Sequence, residues 1–214
     1  TSGRIESESE VTVQLAIQSR QPSVSVQIWK EYTDQIEISL INPSGVRVGP
    51  VPEVLGSQRF RIGQTEILLY YGKPSPYSTS QEIYIDFLPV ESYLTEGIWR
   101  IVLTSGKTVT GQYEMWLPGD AVLNRGTGFL FPTDQTTLTI PSSASRVISV
   151  GAYDARTFAY ADFSGRGFTR LTNLVKPDLV APGVEVVTAT TGGGYAAFTG
   201  TSFATPFVTG SAAL

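Results

Sequence analysis

Apolar and polar residues alternate with a period of two in several stretches of the first 117 residues. This alternation is typical of β-strands that bury one face and leave the other in contact with solvent. Turn-forming segments, such as Asn42-Pro43-Ser44-Gly45, separate the alternating stretches. The pattern predicts about eight short strands, at positions 11–18, 24–28, 36–40, 60–62, 67–71, 83–87, 99–103 and 108–116.

No helical period occurs among these strands, so the first part of the chain is expected to be an antiparallel β-sandwich, most simply a jelly roll, over residues 1–117. The polar residues 1–10 are interpreted as an entry loop. Ser105-Gly106 is interpreted as a hairpin turn. The irregular residues 121–134 are interpreted as a linker, or as loops that lead into the next domain.

The pattern changes in the second part of the chain, over residues 118–214. Residues 146–152 contain the β-branched apolar residues Val147, Ile148 and Val150 and end in Gly-Ala, which predicts a strand buried on both faces in a parallel sheet. Residues 176–187 form a segment bracketed by prolines, and its end predicts another strand. A glycine-rich approach at 192–194 suits a strand end where backbones pass closely. We therefore expect a partial α/β domain, which makes the whole chain a mixed fold.

Composition excludes several classes of function. The net charge is −4 and no basic run occurs, which argues against binding to nucleic acid. No apolar stretch approaches the length of a membrane span. Cys is absent, so a disulfide framework and a thiolate metal site are both excluded. No carboxylate cluster has the spacing of a Ca²⁺ loop, and neither a cofactor nor a metal is predicted.

A candidate reactive serine lies near the end of the chain, in Gly200-Thr201-Ser202-Phe203-Ala204-Thr205-Pro206, which small and apolar residues follow. This arrangement predicts Ser202 in the first turn of a buried helix, where free backbone N–H groups can stabilise an oxyanion. Serine at such a position more often caps the helix. Chemistry alone therefore favours a cap.

The same seven residues resemble the nucleophile motif of subtilisin-like serine proteases (subtilases), with Phe203 in place of the usual Met and Phe207 in place of a His that is not the catalytic base. Three more segments resemble subtilase landmarks in the family's order. They are Val147-Ile148-Ser149-Val150-Gly151-Ala152, Phe163-Ser164-Gly165-Arg166-Gly167 and Lys176-Pro177-Asp178-Leu179-Val180-Ala181-Pro182-Gly183.

The resemblance implies that Ser202 is the catalytic nucleophile. It places Gly200 and Thr201 beside the developing oxyanion and Tyr195 at the border of a substrate cleft, although the Thr201 hydroxyl could equally cap the helix and Tyr195 could serve packing alone. Neither Asp162 nor Asp178 matches the catalytic Asp of the family. We expect Asp178 to accept backbone N–H groups in its loop.

Two further expectations concern side chains around these motifs. Arg166 is expected to form a structural ion pair. Pro206 is expected within about the first turn of the helix, where its missing N–H matters least.

Histidine is absent from the chain, so these 214 residues cannot hold a complete Ser-His-Asp triad. The resemblance implies that an N-terminal half of the same protease supplies the Asp, the His and an oxyanion Asn. The isolated chain is therefore expected to be an inactive fragment of a serine endopeptidase that acts on a protein or peptide.

A jelly roll inserted before the serine segment resembles the clostridial Csp-type spore-germination proteases. That resemblance implies a secreted or spore-associated enzyme that activates a cortex-degrading hydrolase zymogen. The segment Glu37–Gly45 also resembles a strand and turn of the P domain that accompanies kexin-type subtilases, and Gly97–Ile101 resembles another strand of that domain.

Two other functions stay open. The chain could be a pseudoprotease or a β-sandwich binding module in which Ser202 only caps a helix. It could also be an unrelated serine hydrolase with Lys107 or Lys176 as the base. The tryptophans and tyrosines could form a sugar-binding face, although ordinary packing is the favoured interpretation.

Overall fold

A computed structural model describes residues 1–119, 121–170 and 172–214. The chain divides into two compact units, Thr1–Pro132 and Thr133–Leu214. Compact units and evolutionary domains need not share a boundary, so the division expected between residues 117 and 118 remains a prediction. No helix within the described ranges is long and apolar enough to cross a membrane.

The first unit consists of β-strands in two antiparallel sheets. Its strands are β1 (Ser2–Arg4), β2 (Glu10–Ile17), β3 (Val24–Glu31), β4 (Ile36–Ile41), β5 (Arg47–Val51), β6 (Gly56–Ile62), β7 (Thr65–Tyr71), β8 (Ser80–Pro89), β9 (Gly97–Ser105), β10 (Gln112–Trp116) and β11 (Gly128–Phe129). One sheet has the order β1-β10-β3-β8-β7-β6 and the other has the order β11-β2-β9-β4-β5.

Both sheets contribute to a single core, as period-two alternation requires. In β3 the buried residues Val24, Val26 and Ile28 alternate with more exposed ones. At the centre the rings of Phe87 and Trp99, one from each sheet, meet edge to face with centroids 5.2 Å apart. The expected β-sandwich is therefore present, while its identification as a jelly roll stays a prediction.

The structure corrects three details of the first unit. The segment interpreted as a polar entry loop contains β1, which pairs with β10. Ser105-Gly106 does not close a hairpin, because β9 and β10 lie in different sheets. Within the supposed linker, β11 pairs with β2. In contrast, the turn at Asn42–Gly45 is confirmed, since the Gly45 N–H donates to the Asn42 carbonyl at 2.9 Å.

Two charged side chains are buried inside the first unit. The Asp34 carboxylate accepts hydrogen bonds from the backbone N–H groups of Val109, Thr110 and Gly111. Burial acts to raise the pKa of Asp34, but these hydrogen bonds outweigh burial and hold its pKa below the ordinary value. Burial also lowers the pKa of Lys30, whose Nζ lies 3.1 Å from a Glu53 carboxylate oxygen.

The second unit combines short strands with one helix. Its elements are β12 (Val150–Asp154), β13 (Ala159–Tyr160), β14 (Gly167–Phe168), β15 (Val175–Lys176), β16 (Leu179–Pro182), β17 (Val186–Ala189), β18 (Tyr195–Phe198) and α1 (Thr201–Ala213). The pairing of β12 with β16 is parallel, as the sequence predicts. The other described pairings of this unit are antiparallel.

The core of the second unit is small. It consists of four alanines, Ala152, Ala161, Ala181 and Ala204, with partly buried valines packed around them. Burial on both faces of the predicted strand at 146–152 was wrong for its first half, because Ile148 is 65% exposed. Strand β16 likewise leaves Leu179 and Val180 exposed.

Candidate active site

Ser202 is the second residue of α1, and its side chain is exposed. The first backbone N–H groups of a helix have no partner within the helix and carry a partial positive charge. Ser202 thus lies where free N–H groups and a hydroxyl share one surface. This is the local geometry that the sequence predicts for a nucleophile beside an oxyanion site.

Gly200 is the N-cap of α1, and it has no side chain with which to cap the helix. The Ser202 hydroxyl has no hydrogen-bond partner within residues 1–119, 121–170 and 172–214. No side-chain cap is formed at this end of the helix, by Thr201 or by any other described residue. The interpretations of Ser202 and of Thr201 as helix caps were therefore wrong.

A chain of backbone hydrogen bonds fixes the start of α1 to the sheet. The Gly200 N–H donates to the Gly183 carbonyl at 2.8 Å, and the Gly183 N–H donates to the Tyr153 carbonyl at 3.0 Å. Gly183 is buried, and a Cβ added there would lie 2.5 Å from the Cβ of Ala152. Only glycine fits this contact, which explains the glycine at the end of the Ala181-Pro182-Gly183 segment.

The small side chain of Ala204 brings α1 onto the sheet. Ala204 is fully buried against alanines from β12 and β16. Residues two apart on a helix lie on nearly opposite faces. Burial of Ala204 therefore turns Ser202 toward solvent.

The connection from β18 to α1 is ordered by two further contacts. The rings of Phe198 and Phe203 stack with centroids 5.2 Å apart and an interplanar angle of 16°. The Thr199 hydroxyl accepts a hydrogen bond from the Glu185 N–H at 3.1 Å. The aromatic residue that follows Ser202 thus packs on the strand that leads to it, which sequence reasoning treated only as a mild exchange for methionine.

Tyr195 begins β18 and is 80% exposed. It pairs with Ala189 across a hairpin that Gly192, Gly193 and Gly194 close, all three with positive φ of 87–95°. The glycines are therefore required by turn conformation. Close passage of backbones was the wrong reason for Gly192 and Gly193, because a Cβ at either would meet nothing within 4 Å.

Pro206 lies in the second turn of α1, later than the sequence reasoning placed it. Its missing N–H leaves the Ser202 carbonyl without the usual donor four residues on. The hydroxyl of Thr205 donates to the Thr201 carbonyl at 3.0 Å, a local bond that is typical of threonine within helices.

Asp178 and Arg166 have the structural roles expected of them. The Asp178 carboxylate accepts the Ser149 N–H at 2.7 Å and the Lys176 ammonium at 2.6 Å. These bonds, first the one from Lys176 and then the one from Ser149, lower the pKa of Asp178. Arg166 forms an ion pair with Asp134.

Sequence reasoning missed the buried hydroxyl of Ser164. Its Oγ accepts the Ala152 N–H at 2.9 Å and donates to the Tyr160 hydroxyl at 3.0 Å, which ties the loop after β13 to β12. A serine between Phe163 and Gly165 was the signal available for this contact. Ser164 supports the sheet on which α1 rests.

The described residues of this unit offer Ser202 no general base. Histidine is absent from the chain. The ammonium of Lys176 is 3% exposed and already donates to Asp178 and to the Val147 carbonyl. Within the described ranges, no group of three or more His, Cys, Asp or Glu residues could hold a metal ion.

Ser202 lies at a helix start beside a parallel strand pair, within a segment whose sequence is similar to that of subtilases. Residues 122–214 match the model of the subtilase family, also called peptidase S8. An intracellular serine protease of Paenibacillus polymyxa is 43% identical over 74 residues, which are 35% of this chain and 20% of that protein. Serine protease AprX of Bacillus subtilis is 35% identical over 101 residues, covering 38% of this chain and 23% of that protein.

The CspB protease of Clostridium perfringens is a solved structure similar to nearly the whole chain. The TM-score is 0.88 at 32% sequence identity, over 98% of this chain and 43% of that chain. The predicted resemblance to subtilases and to the Csp proteases is thereby confirmed. The chain spans less than half of CspB and about a fifth of these curated relatives.

Proposed function

We propose that this chain carries the nucleophile of a subtilisin-like serine endopeptidase that hydrolyses peptide bonds in a protein or peptide substrate. The observation that carries the proposal is Ser202, exposed and without a hydrogen-bond partner in the described ranges, at the start of a helix fixed to a parallel strand pair. Residues 122–214, which include Ser202, match the model of the subtilase family.

In the proposed mechanism the Ser202 oxygen attacks the substrate carbonyl to form an acyl-enzyme, which water then hydrolyses. The N–H groups at the start of α1 stabilise the oxyanion, with Gly200 and Thr201 shaping that site. Tyr195, on the neighbouring hairpin, borders the substrate. Since the chain contains no histidine, the His and Asp of the triad and an oxyanion Asn come from residues N-terminal to this chain in the same protease.

The β-sandwich has a supporting place in this proposal. We infer that it is a jelly-roll insert, over residues 1–117, that precedes the C-terminal part of the catalytic domain, over residues 118–214. The nested antiparallel pairs β2–β9 and β3–β8 support this, because such pairs arise when a long antiparallel ribbon rolls into two sheets. The similarity to CspB extends over both units, which supports the proposal that both belong to one protease.

A hydrolysis assay on the full-length protease tests the proposal. Replacing Ser202 with alanine is expected to lower kcat by roughly 10⁶-fold, as loss of a triad nucleophile does. Ser211→Ala is the matched control, because Ser211 lies in the same helix and its hydroxyl donates to the Phe207 carbonyl. Ser211→Ala is expected to keep its activity. Equal loss in both variants, or none in Ser202→Ala, would refute the assignment.

The genomic sequence directly upstream of Thr1 distinguishes this proposal from a pseudoprotease or a binding module. Motifs of the types Asp-x-Gly and His-Gly-Thr are expected there. Absence of both motifs, together with a full-length protein that cleaves no casein, would favour a function without catalysis.

A further inference from the structure

One face of the first unit carries a row of aromatic residues that the proposed protease chemistry does not use. In the sheet with β3 at its centre, the strands alternate buried and outward positions. Register pairing aligns Trp116 with Gln27, Gln27 with Tyr84, and Tyr84 with Tyr70. The four residues therefore form one line across the four neighbouring strands β10, β3, β8 and β7.

The line lies on the outside of the sandwich. Residues next to it in sequence, such as Met115, Ile28 and Ile85, point into the core and are buried. Tyr70 is 37% exposed, Gln27 is also exposed, and Trp116 and Tyr84 are partly buried. These outward aromatic rings are surface features, and the core is complete without them.

Hydrogen-bonding groups flank the aromatic line. Ser25 and Asp86 form a hydrogen-bonded pair on one side, with Ser25 Oγ 2.8 Å from Asp86 Oδ1. On the other side, Gln27 Nε2 lies 3.1 Å from Glu82 Oε1. Each pair retains free acceptor oxygens on its carboxylate. The face thus combines flat apolar rings with acceptors and an amide.

A shallow cavity of about 250 Å³ lies at one end of the line. Its lining consists of Ser25, Gln27, Tyr84, Trp116, Leu117 and Pro118. The volume is somewhat below that of ordinary small-molecule pockets, and the cavity continues into the open sheet face. A ligand seated there would extend along the line and would not be enclosed.

The chemistry of the face selects one class of ligand. Carboxylates beside the rings disfavour anionic ligands such as nucleic acids and acidic polymers. Ring faces bind apolar C–H surfaces, while the flanking acceptors bind hydroxyl groups. Strands lie roughly 4.8 Å apart, so successive positions in the line repeat at about the length of one sugar ring. An extended, uncharged sugar chain meets all three conditions.

We propose that this face, Trp116-Gln27-Tyr84-Tyr70, binds a neutral, extended oligosaccharide. The sugar rings stack on Trp116, Tyr84 and Tyr70, and their hydroxyl groups donate to Asp86 and Glu82. This binding does not involve Ser202 and is therefore independent of the proposed protease function. It would give the sandwich a role in locating the protein on a polysaccharide.

Calorimetric titration of the 214-residue chain with cellohexaose and with chitohexaose tests the proposal. Saturable binding to at least one of them is expected, with no binding to the anionic polymer polygalacturonate. Ser202→Ala is expected to bind as the parent does. Absence of binding to both neutral probes, or preference for polygalacturonate, would overturn the proposal.

Variants locate the site and separate it from a folding effect. The double substitution Trp116→Ala/Tyr84→Ala is expected to weaken binding by at least about tenfold, as loss of central aromatic anchors does. Trp116→Phe keeps a ring and is expected to keep most of the affinity. Tyr77→Ala is the control, because Tyr77 is 92% exposed and outside the line. If the double variant keeps its far-ultraviolet circular dichroism and binds like the parent, the site is not on this face.

Discussion

The hydrophobic cores of the two units differ in the size of the side chains that they bury. The first unit buries large side chains from two sheets, with Trp99, Phe87 and Tyr71 fully inaccessible. The second unit buries four alanines and leaves Leu179, Val180 and others exposed. Burial of apolar area is the main source of folding stability. The first unit buries the larger share of the apolar area and is therefore expected to contribute most of the stability. The unit with the candidate nucleophile has the smaller core of the two.

This difference indicates what each unit requires. The sandwich has a core of its own and is expected to fold without further chain. The second unit exposes apolar residues on β16, which in a parallel sheet are usually covered on both faces. We infer that it gains stability from the additional residues that our proposal assigns to the protease.

The largest expected effect is in the core of the first unit. Phe87→Ala removes the ring that meets Trp99 and is expected to lower the free energy of unfolding by about 3–5 kcal/mol. All three tryptophans, Trp29, Trp99 and Trp116, lie in the first unit, so tryptophan fluorescence during urea unfolding reports on that unit alone. Tyr77→Ala, which alters an exposed side chain, is expected to change stability by less than about 0.5 kcal/mol.

A second prediction concerns the buried carboxylate of Asp34. Asp34→Asn replaces one carboxylate oxygen with an NH₂ group and so removes one acceptor, such as the oxygen that accepts from the Thr110 hydroxyl and the Gly111 N–H. The substitution is expected to cost roughly 2–3 kcal/mol near neutral pH. The same urea titration measures the loss. The control Asp86→Asn affects one bond, from Ser25, and is expected to cost less.

The pH dependence of Asp34 has a defined sign. The pKa of Asp34 is lowered in the folded state, so ionised Asp34 increases the free energy of unfolding. This stabilisation is complete above the ordinary Asp pKa of about 3.9 and is lost as the pH falls through the pKa of the folded state. The urea midpoint of the parent is expected to drop between about pH 6 and about pH 3, and the drop is expected to be smaller in Asp34→Asn. Equal drops in both proteins would contradict this origin.

A smaller effect is expected where α1 is fixed to its sheet. Gly183→Ala places a methyl group 2.5 Å from the Cβ of Ala152 and is expected to cost about 1–3 kcal/mol. Hydrogen exchange measured by mass spectrometry should show faster exchange in α1 and β12. The control Gly210→Ala adds a methyl group that meets nothing within 4 Å and is expected to stabilise the helix by up to about 1 kcal/mol. Unchanged hydrogen exchange in Gly183→Ala would contradict a role of the Gly183–Ala152 contact in fixing α1 to the sheet.

Much of the first unit could be predicted from its sequence, because period-two alternation directly reports a half-buried strand. The strands around Val24, Ile36 and Ile83 were found in this way. Strand β5 was missed because Gly49-Pro50 interrupts its alternation, and β1 was missed because three polar residues show no period. The assignment of strands to the two sheets depends on long-range pairing, which no local pattern contains.

The position of the candidate site could be predicted from the sequence, but the hydrogen bonds that hold it in place could not. The string Gly200–Pro206 located Ser202 at a helix start. The bond from Gly200 to Gly183 and the buried Ser164 hydroxyl depend on segments distant in sequence, so single-residue patterns could not reveal them. The cap interpretation was wrong because a glycine, which offers no side-chain acceptor, holds the N-cap position.

We propose that Ser202 is a nucleophile whose base lies outside these 214 residues. Fluorophosphonate labelling, mapped by peptide mass spectrometry, tests it most directly. We expect no labelling of the isolated chain and stoichiometric labelling at Ser202 once the N-terminal half of the protease is supplied. Strong labelling of the isolated chain, or labelling of the complete protein at another serine, would contradict it.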